Sequence, residues 1–184
     1  MTTKTGLTLE QFFALPERET AYELVDGQAI PKVSPKYFHS SLQSAFLVLI
    51  RAWCKGKGRV KPEWAITLKR EGKDWVPTPD VIYISYDRLP KSWKQNEACP
   101  VSPELAIEII SPGQTMQYFE NKAQDYLANG VLRVWVVDPE AMSITVFFPD
   151  GQSQLYTGNT KIVDLLLSEL ELTPQMIFEE AELL

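Results

Sequence analysis

The spacing of apolar and polar positions divides the chain into short elements of alternating type. Over 8–15, Leu9, Phe12 and Phe13 share one helical face, and Thr8 with Gln11 three positions on is a helix-start signal. Residues 22–33, YELVDGQAIPKV, predict a hairpin with Asp26-Gly27 as its turn. Leu42, Phe46, Leu49 and Trp53 recur at helical spacing, so 40–53 predicts a long, partly buried helix ended by the glycines at 56 and 58. Trp64, Ile66 and Leu68 alternate as in a half-buried strand, and a turn at 71–73 follows.

Pro79-Asp80 opens DVIYIS, whose β-branched and aromatic content predicts an inner strand. The polar, proline-punctuated stretch 88–103 predicts a surface excursion, and ELAIEII at 104–110 predicts the next strand, stopped by Ser111-Pro112-Gly113. A helix over 115–129 with Gly130 just past its end, a buried strand over 131–138, a strand over 142–148 paired to it, and a short last helix begun by Thr173-Pro174 complete the pattern. A helix, a meander and a strand-helix-strand crossover predict an α/β fold, or α+β if the antiparallel part dominates, with a mixed sheet flanked by helices. At 184 residues and 45% hydrophobic content, the expectation is a single domain spanning 1–184. No segment has the apolar run of a signal peptide or a membrane span, so the expected location is cytoplasmic.

One strand carries an anomaly. Alternation puts Ala106, Glu108 and Ile110 on one face of 104–110, so a carboxylate projects from a mostly apolar surface. A bare buried carboxylate neutralises rather than stay charged, so a metal ion or a lysine should compensate it. Asp80 begins its own strand straight after Pro79. Taken alone it reads as strand punctuation, but beside Glu108 it would form an acid pair that repels unless a cation sits between. Lys122 lies about 60° from Phe119 at the edge of the buried stripe of its helix, where it can reach back over the Glu108 strand or simply snorkel. His39 is the only histidine and the two cysteines have no ligand-like spacing, so multi-histidine, zinc and disulfide frameworks have no support. Carboxylates remain as metal ligands, which suits a hard cation such as Mg²⁺.

The net charge of −6 and pI near 4.9 argue against a protein that coats nucleic acid nonspecifically. The charge is uneven, however. Residues 51–73 hold Arg51, Lys55, Lys57, Arg59, Lys61, Lys69, Arg70 and Lys73 against only Glu63 and Glu71, whereas 162–184 holds acids and no base. Lys55, Lys57, Arg59 and Lys61 are therefore candidates for contact with a polyanion, or else a solvated lysine-rich turn.

The order PTPDVIYIS, ELAIEIISP, ENKAQDYLANGV and VWVVDP resembles the Uma-two family of restriction-endonuclease-like proteins, a branch of the PD-(D/E)XK superfamily. The likeness runs from LTLEQFFALPE and YELVDG to the LELTPQMIFEEA tail. In that family the lysine found two residues after the glutamate in other members has moved into the following helix, and here Ile110 and Lys122 occupy those two places. The resemblance implies an endonuclease in which Asp80 and Glu108 bind Mg²⁺ or Mn²⁺, and Lys122 contacts the attacking water or the scissile phosphate of DNA. It also implies that Glu23 is a further acid at the site and that His39 corresponds to a family histidine. Tyr118 departs from an aspartate common in relatives, and Glu104 replaces the usual aspartate before the strand. The competing reading is a catalytically inert or regulatory binding module that keeps the nuclease fold, in line with the acidic pI and Tyr118. A homodimer is also expected, because two-strand cleavage commonly uses two-fold symmetry and SITVFFPD would leave an apolar sheet edge unless the chain itself covers it.

Overall fold

A computed structural model describes residues 6–16 and 21–184. Its elements in chain order are α1 (Leu9–Phe13), β1 (Tyr22–Val25), β2 (Gln28–Pro31), α2 (Tyr37–Trp53), β3 (Gly58–Pro62), β4 (Leu68–Arg70), β5 (Lys73–Trp75), β6 (Val81–Ser85), β7 (Leu105–Ile109), α3 (Met116–Ala128), β8 (Arg133–Asp138), β9 (Ser143–Phe147), β10 (Ser153–Thr157) and α4 (Pro174–Glu180). The main sheet has the order β10-β9-β8-β7-β6-β3 and is antiparallel except for β7 with β8, the pair that α3 connects. This is the mixed α/β sheet with flanking helices that the sequence predicts.

Strand alternation sorts the core into two layers. Val81, Tyr83, Leu105, Ile107, Trp135 and Val137 face one way and pack with Leu42, Phe46 and Ile50 of α2 and Ile177 and Phe178 of α4. Ile82, Ile84, Ala106, Val134 and Val136 face the other way and pack with Phe119, Ala123 and Tyr126 of α3 and with Trp75. Every residue of β7 is buried, so both faces of that strand are covered. Burying each large apolar side chain contributes roughly 1.5–3 kcal/mol, which makes β7 and β8 the most firmly held part of the sheet.

Local chemistry sets the boundaries. Thr8 and Gln11 form a reciprocal capping box on α1, and Thr115 and Thr173 cap α3 and α4 through their side chains. Asp26 and Gly27 both take positive φ, 50° and 76°, as a tight hairpin turn demands. Helix α2 starts at Tyr37, three residues before the expected Ser40, with Lys36 at the N-cap and no side-chain cap. Gly58 does not end this helix; it opens β3, where an added Cβ would lie 2.4 Å from the carbonyl oxygen of Ile84.

Two expectations need correction, and one strand carries no apolar signal in the sequence. The strand β3 escapes the apolar pattern because GRVKP is a charged edge strand with Val60 as its one buried side chain. The expected strand over 64–68 is a single bridge between Ile66 and Cys99, because Glu63 at φ 42° turns the chain and only Leu68 joins a strand. The apolar strand β9 is not an edge: β10 pairs with it along its length, from Ser153 opposite Phe147 to Thr157 opposite Ser143. The chain thus supplies the cover just before Gly158, and the edge argument for a homodimer is removed. The excursion over 88–103 is tied down, since Arg88 Nη1 donates to the carbonyls of Ser102 at 2.7 Å and Gly130 at 3.1 Å. Among the described residues no helix is long and apolar enough to cross a membrane.

Candidate active site

The site forms where the start of β6 meets the end of β7. Val81 pairs with Ile107, and carrying that antiparallel register one step further sets Asp80 across from Glu108 on the α3 face of the sheet. The backbone locks the arrangement: the N–H of Ile109 donates to Asp80 Oδ2 at 2.7 Å, and Gln43 Nε2 of α2 donates to the Asp80 carbonyl at 2.9 Å. Helix α3 brings Lys122 above β7, where its ammonium lies 3.0 Å from Glu108 Oε1 and 3.0 Å from Glu23 Oε1. Glu23 comes from β1 and also accepts the N–H of Thr78 at 2.8 Å. His39, in the first turn of α2, places Nε2 3.1 Å from Asp80 Oδ2.

All five side chains line one cavity of about 200 Å³. None is more than 8% exposed, so each charge depends on its protein partners rather than on water. Two residues complete the set without a clear signal in the sequence. Lys32, just after β2, donates to Asp80 Oδ1 at 3.1 Å, and Tyr126, one turn beyond Lys122 on α3, donates its hydroxyl to Glu108 Oε1 at 2.7 Å. The helical spacing of four between Lys122 and Tyr126 was the available clue for the second; Lys32 required knowing where the β1–β2 hairpin docks.

Partners split the two facing acids. Burial would raise Asp80, but the hydrogen bond from His39 and the charge of Lys32 outweigh it, and its carboxyl titrates below the ordinary aspartate range. Burial pushes Glu108 up to about 7 against the pull of Lys122, with the charges of Asp80 and Glu23 adding to the rise. Burial would lower Lys122, yet Glu108 and Glu23 more than compensate and hold it a firm cation. Three buried acids thus share two lysines, which leaves the cavity short of positive charge.

Among the described residues, no three histidine, cysteine, aspartate or glutamate side chains converge as a ready-made metal cage. Glu23 is engaged by Lys122 and Thr78, and His39 is engaged by Asp80. Mg²⁺ binds through one or two carboxylates and completes its shell with waters and phosphate oxygens, so the facing pair Asp80 and Glu108 fits such an ion chemically. The charge deficit of the cavity points the same way.

Tyr118 stands at the rim of this cavity and is half exposed. Lys122 does not need an aspartate there, because Glu23 and Glu108 already orient it. Glu104 lies away from the cavity, where Oε2 accepts the N–H of Ser85 at 3.0 Å. None of Lys55, Lys57, Arg59 and Lys61 lines the site. Lys55, Arg59 and Lys61 border a separate open groove with Arg51 and Lys91. Lys57 is instead paired with Glu169 at 2.6 Å, and Arg59 is largely spent on the carbonyls of Pro90 at 2.7 Å and Trp93 at 3.2 Å.

Comparison with known proteins agrees with this architecture. A crystal structure of a protein titled a putative nuclease belonging to DUF820, from Anabaena variabilis, superimposes with a TM-score of 0.82 at 26% identity, covering 95% of this chain and 99% of that one. No curated protein matches the chain significantly. Residues 9–175 match the family described as "Uma2: Putative restriction endonuclease", a span that includes every residue of the cavity, and the chain belongs to that family.

Proposed function

We propose that this protein is a metal-dependent endonuclease that hydrolyses phosphodiester bonds in DNA, with Asp80 and Glu108 as ligands of Mg²⁺ or Mn²⁺. The observation that carries this reading is the buried Lys122, held between two glutamates in the cavity that Asp80 also lines, in a chain of a restriction-endonuclease family. A divalent ion bound there would polarise a phosphate oxygen and lower the pKa of a bound water. Lys122 stabilises negative charge developing on the phosphorane, from an environment where such a contact is strong because water is excluded. Glu23 and Tyr126 fix the positions of the Lys122 ammonium and the Glu108 carboxylate, while Lys32 and His39 hold Asp80 ionised and aimed.

The acidic overall charge is no obstacle, because the groove bordered by Arg51, Lys55, Arg59, Lys61 and Lys91 has no acid in its lining and offers a local positive track for the duplex backbone. Lys57 is left out of that track by its pairing with Glu169. Purified protein is expected to relax and then linearise supercoiled plasmid with Mg²⁺ or Mn²⁺ and not with EDTA, and a Glu108→Ala variant to lose the activity at least 100-fold by the size of single electrostatic contributions, roughly 10²–10³. Equal cutting by wild type and variant would assign the activity to a contaminant and sink the reading.

A further inference from the structure

A second cavity, of about 400 Å³, adjoins the carboxylate site and shares His39, Ser111 and Gln114 with it as common wall. It is walled by the amino end of α2 with Lys36, the loop between β7 and α3, and the turn after β8, which contributes Asp138 and Glu140; the Asp138 carboxylate accepts the N–H groups of Glu140 and Ala141 at 2.9 and 3.0 Å. Nothing in the chemistry above uses it. A volume of this order suits a small organic group.

Three features of the cavity have one ligand in common. Its apolar wall includes Phe38 and Met116, and Tyr37 and Phe38 leave 63% and 52% of their surface exposed although they are large aromatics. The amino end of the 17-residue helix α2 has Lys36 at the N-cap, no side-chain cap and no acid in its first turn. A helix start leaves backbone N–H groups without intrahelical partners and favours anions, and a lysine there without a capping acceptor breaks the local preference unless an anion is present. The third feature is His39: its Nε2 is committed to Asp80, while its Nδ1 is buried and has no hydrogen-bond partner among the described residues. A ring nitrogen of histidine donates or accepts a hydrogen bond, so the missing partner is a hydrogen-bonding group. Buried polar atoms are normally satisfied, and this one lies in a ring shared by both cavities.

An anion, a flat apolar ring and a hydrogen-bonding group together describe a nucleotide. We infer that this cavity receives one unpaired nucleotide of the substrate strand, next to the phosphate at the carboxylate site. Its phosphate meets Lys36 and the start of α2, away from the wall that carries Asp138 and Glu140, its base stacks against Phe38 and Tyr37, and a hydrogen-bonding group of the base or sugar satisfies His39 Nδ1. The inference rests on the phosphodiesterase reading for the neighbouring cavity and sharpens it: the preferred DNA has an unpaired or extruded nucleotide beside the cut, because a base held in a stacked duplex cannot enter a walled pocket.

Binding is measured by fluorescence anisotropy in EDTA, so that neither cleavage nor metal enters, using a blunt duplex, the same duplex with a single-stranded overhang, and a thymidine oligonucleotide. The expected result is tighter binding of the overhang and the oligonucleotide, weakened about tenfold by Phe38→Ala or Lys36→Glu, with less than a twofold change for the blunt duplex. Both positions are exposed, and unchanged thermal melting of each variant shows that the fold survives. Because His39 is the only histidine, its imidazole gives one set of NMR signals, which should move when the oligonucleotide saturates the protein. Equal losses for blunt and single-stranded DNA, no loss in either variant, or imidazole signals that stay put at saturation would each overturn the inference, as would sedimentation of a dimer that Phe38→Ala converts to monomer. Selective, variant-sensitive binding together with no cleavage under Mg²⁺ would leave this subsite standing and remove the nuclease reading alone.

Discussion

Asp80 and Glu108 face each other from neighbouring strands, are equally buried at 3% exposure, and titrate in opposite directions. The difference lies in what each acid meets. Asp80 has His39, the Ile109 N–H and the larger share of Lys32, which meets Glu63 only at 3.9 Å, so its charged form is solvated by the protein. Glu108 has a tyrosine hydroxyl and half of a lysine, because Lys122 also serves Glu23. Burial alone therefore predicts neither charge state; the count of donors and cations per carboxylate does. One half of the site is a finished ion network and the other is left unbalanced, which is the half where an added cation has most to offer.

The most severe way to break this contrast is to remove Lys122. Lys122→Met leaves Glu23 and Glu108 buried beside each other without a cation, and breaking a buried pair in this manner costs about 3–5 kcal/mol. Urea denaturation at pH 8 should show that loss, and the loss should shrink towards pH 5 as Glu108 protonates. A difference below about 1 kcal/mol at pH 8 would mean that Lys122 is not the main compensator of the two acids.

The two halves also differ in how far the sequence discloses them. Glu108 is visible because an acid at an even position between apolar neighbours violates the strand pattern, and helical spacing puts Lys122 at the edge of a buried stripe, from which it can reach back over the strand or snorkel. Asp80 looked like ordinary strand punctuation until the register set it opposite Glu108. The long-range partners were not legible in the same way. Lys32 is 48 positions from Asp80 and Glu23 is 99 from Lys122, and nothing local in a hairpin announces where it will dock. The fold shows the same division: capped helices and apolar strands were readable, whereas β3 and β10 have no run of buried apolar side chains and take strand form because a neighbouring edge offers its backbone groups. The missing β10 is why β9 looked like an exposed edge.

Asp80→Asn tests the finished half with a smaller effect. The amide can still accept the Ile109 N–H, so packing is retained, but Lys32 and His39 lose their anion. Hydrogen bonds to charged groups are worth about 1.5–3 kcal/mol, and a loss in that range is expected at neutral pH. Since the folded state lowers the Asp80 pKa, its contribution is present above the ordinary aspartate range and disappears as the pH falls through the folded value. The stability gap between wild type and variant, followed by denaturation from pH 7 down to pH 3, should therefore close on the acid side; a gap that stays constant would show that Asp80 acts through shape alone.

Glu108→Gln carries the smallest expected change in stability and separates the two halves most sharply. Its amide oxygen can still accept the Tyr126 hydroxyl, and Lys122 keeps Glu23 as a one-to-one partner, so no buried cation is orphaned. What disappears is a carboxyl whose folded pKa is raised to about 7 from an ordinary value near 4.5. Between those values the folded state binds the extra proton, so the metal-free protein loses stability as pH rises, by at most about 1.4 kcal/mol per pH unit, and the contribution is gone above the folded pKa. The glutamine variant lacks that slope: at pH 5 it should be about as stable as wild type, and at pH 8 equal or more stable, because an under-compensated buried charge has been removed. Calorimetry should find Mg²⁺ binding lost in the same variant, whereas a stability–pH slope that persists after the substitution would place the titrating group elsewhere in the cavity and undo the contrast between Glu108 and Asp80.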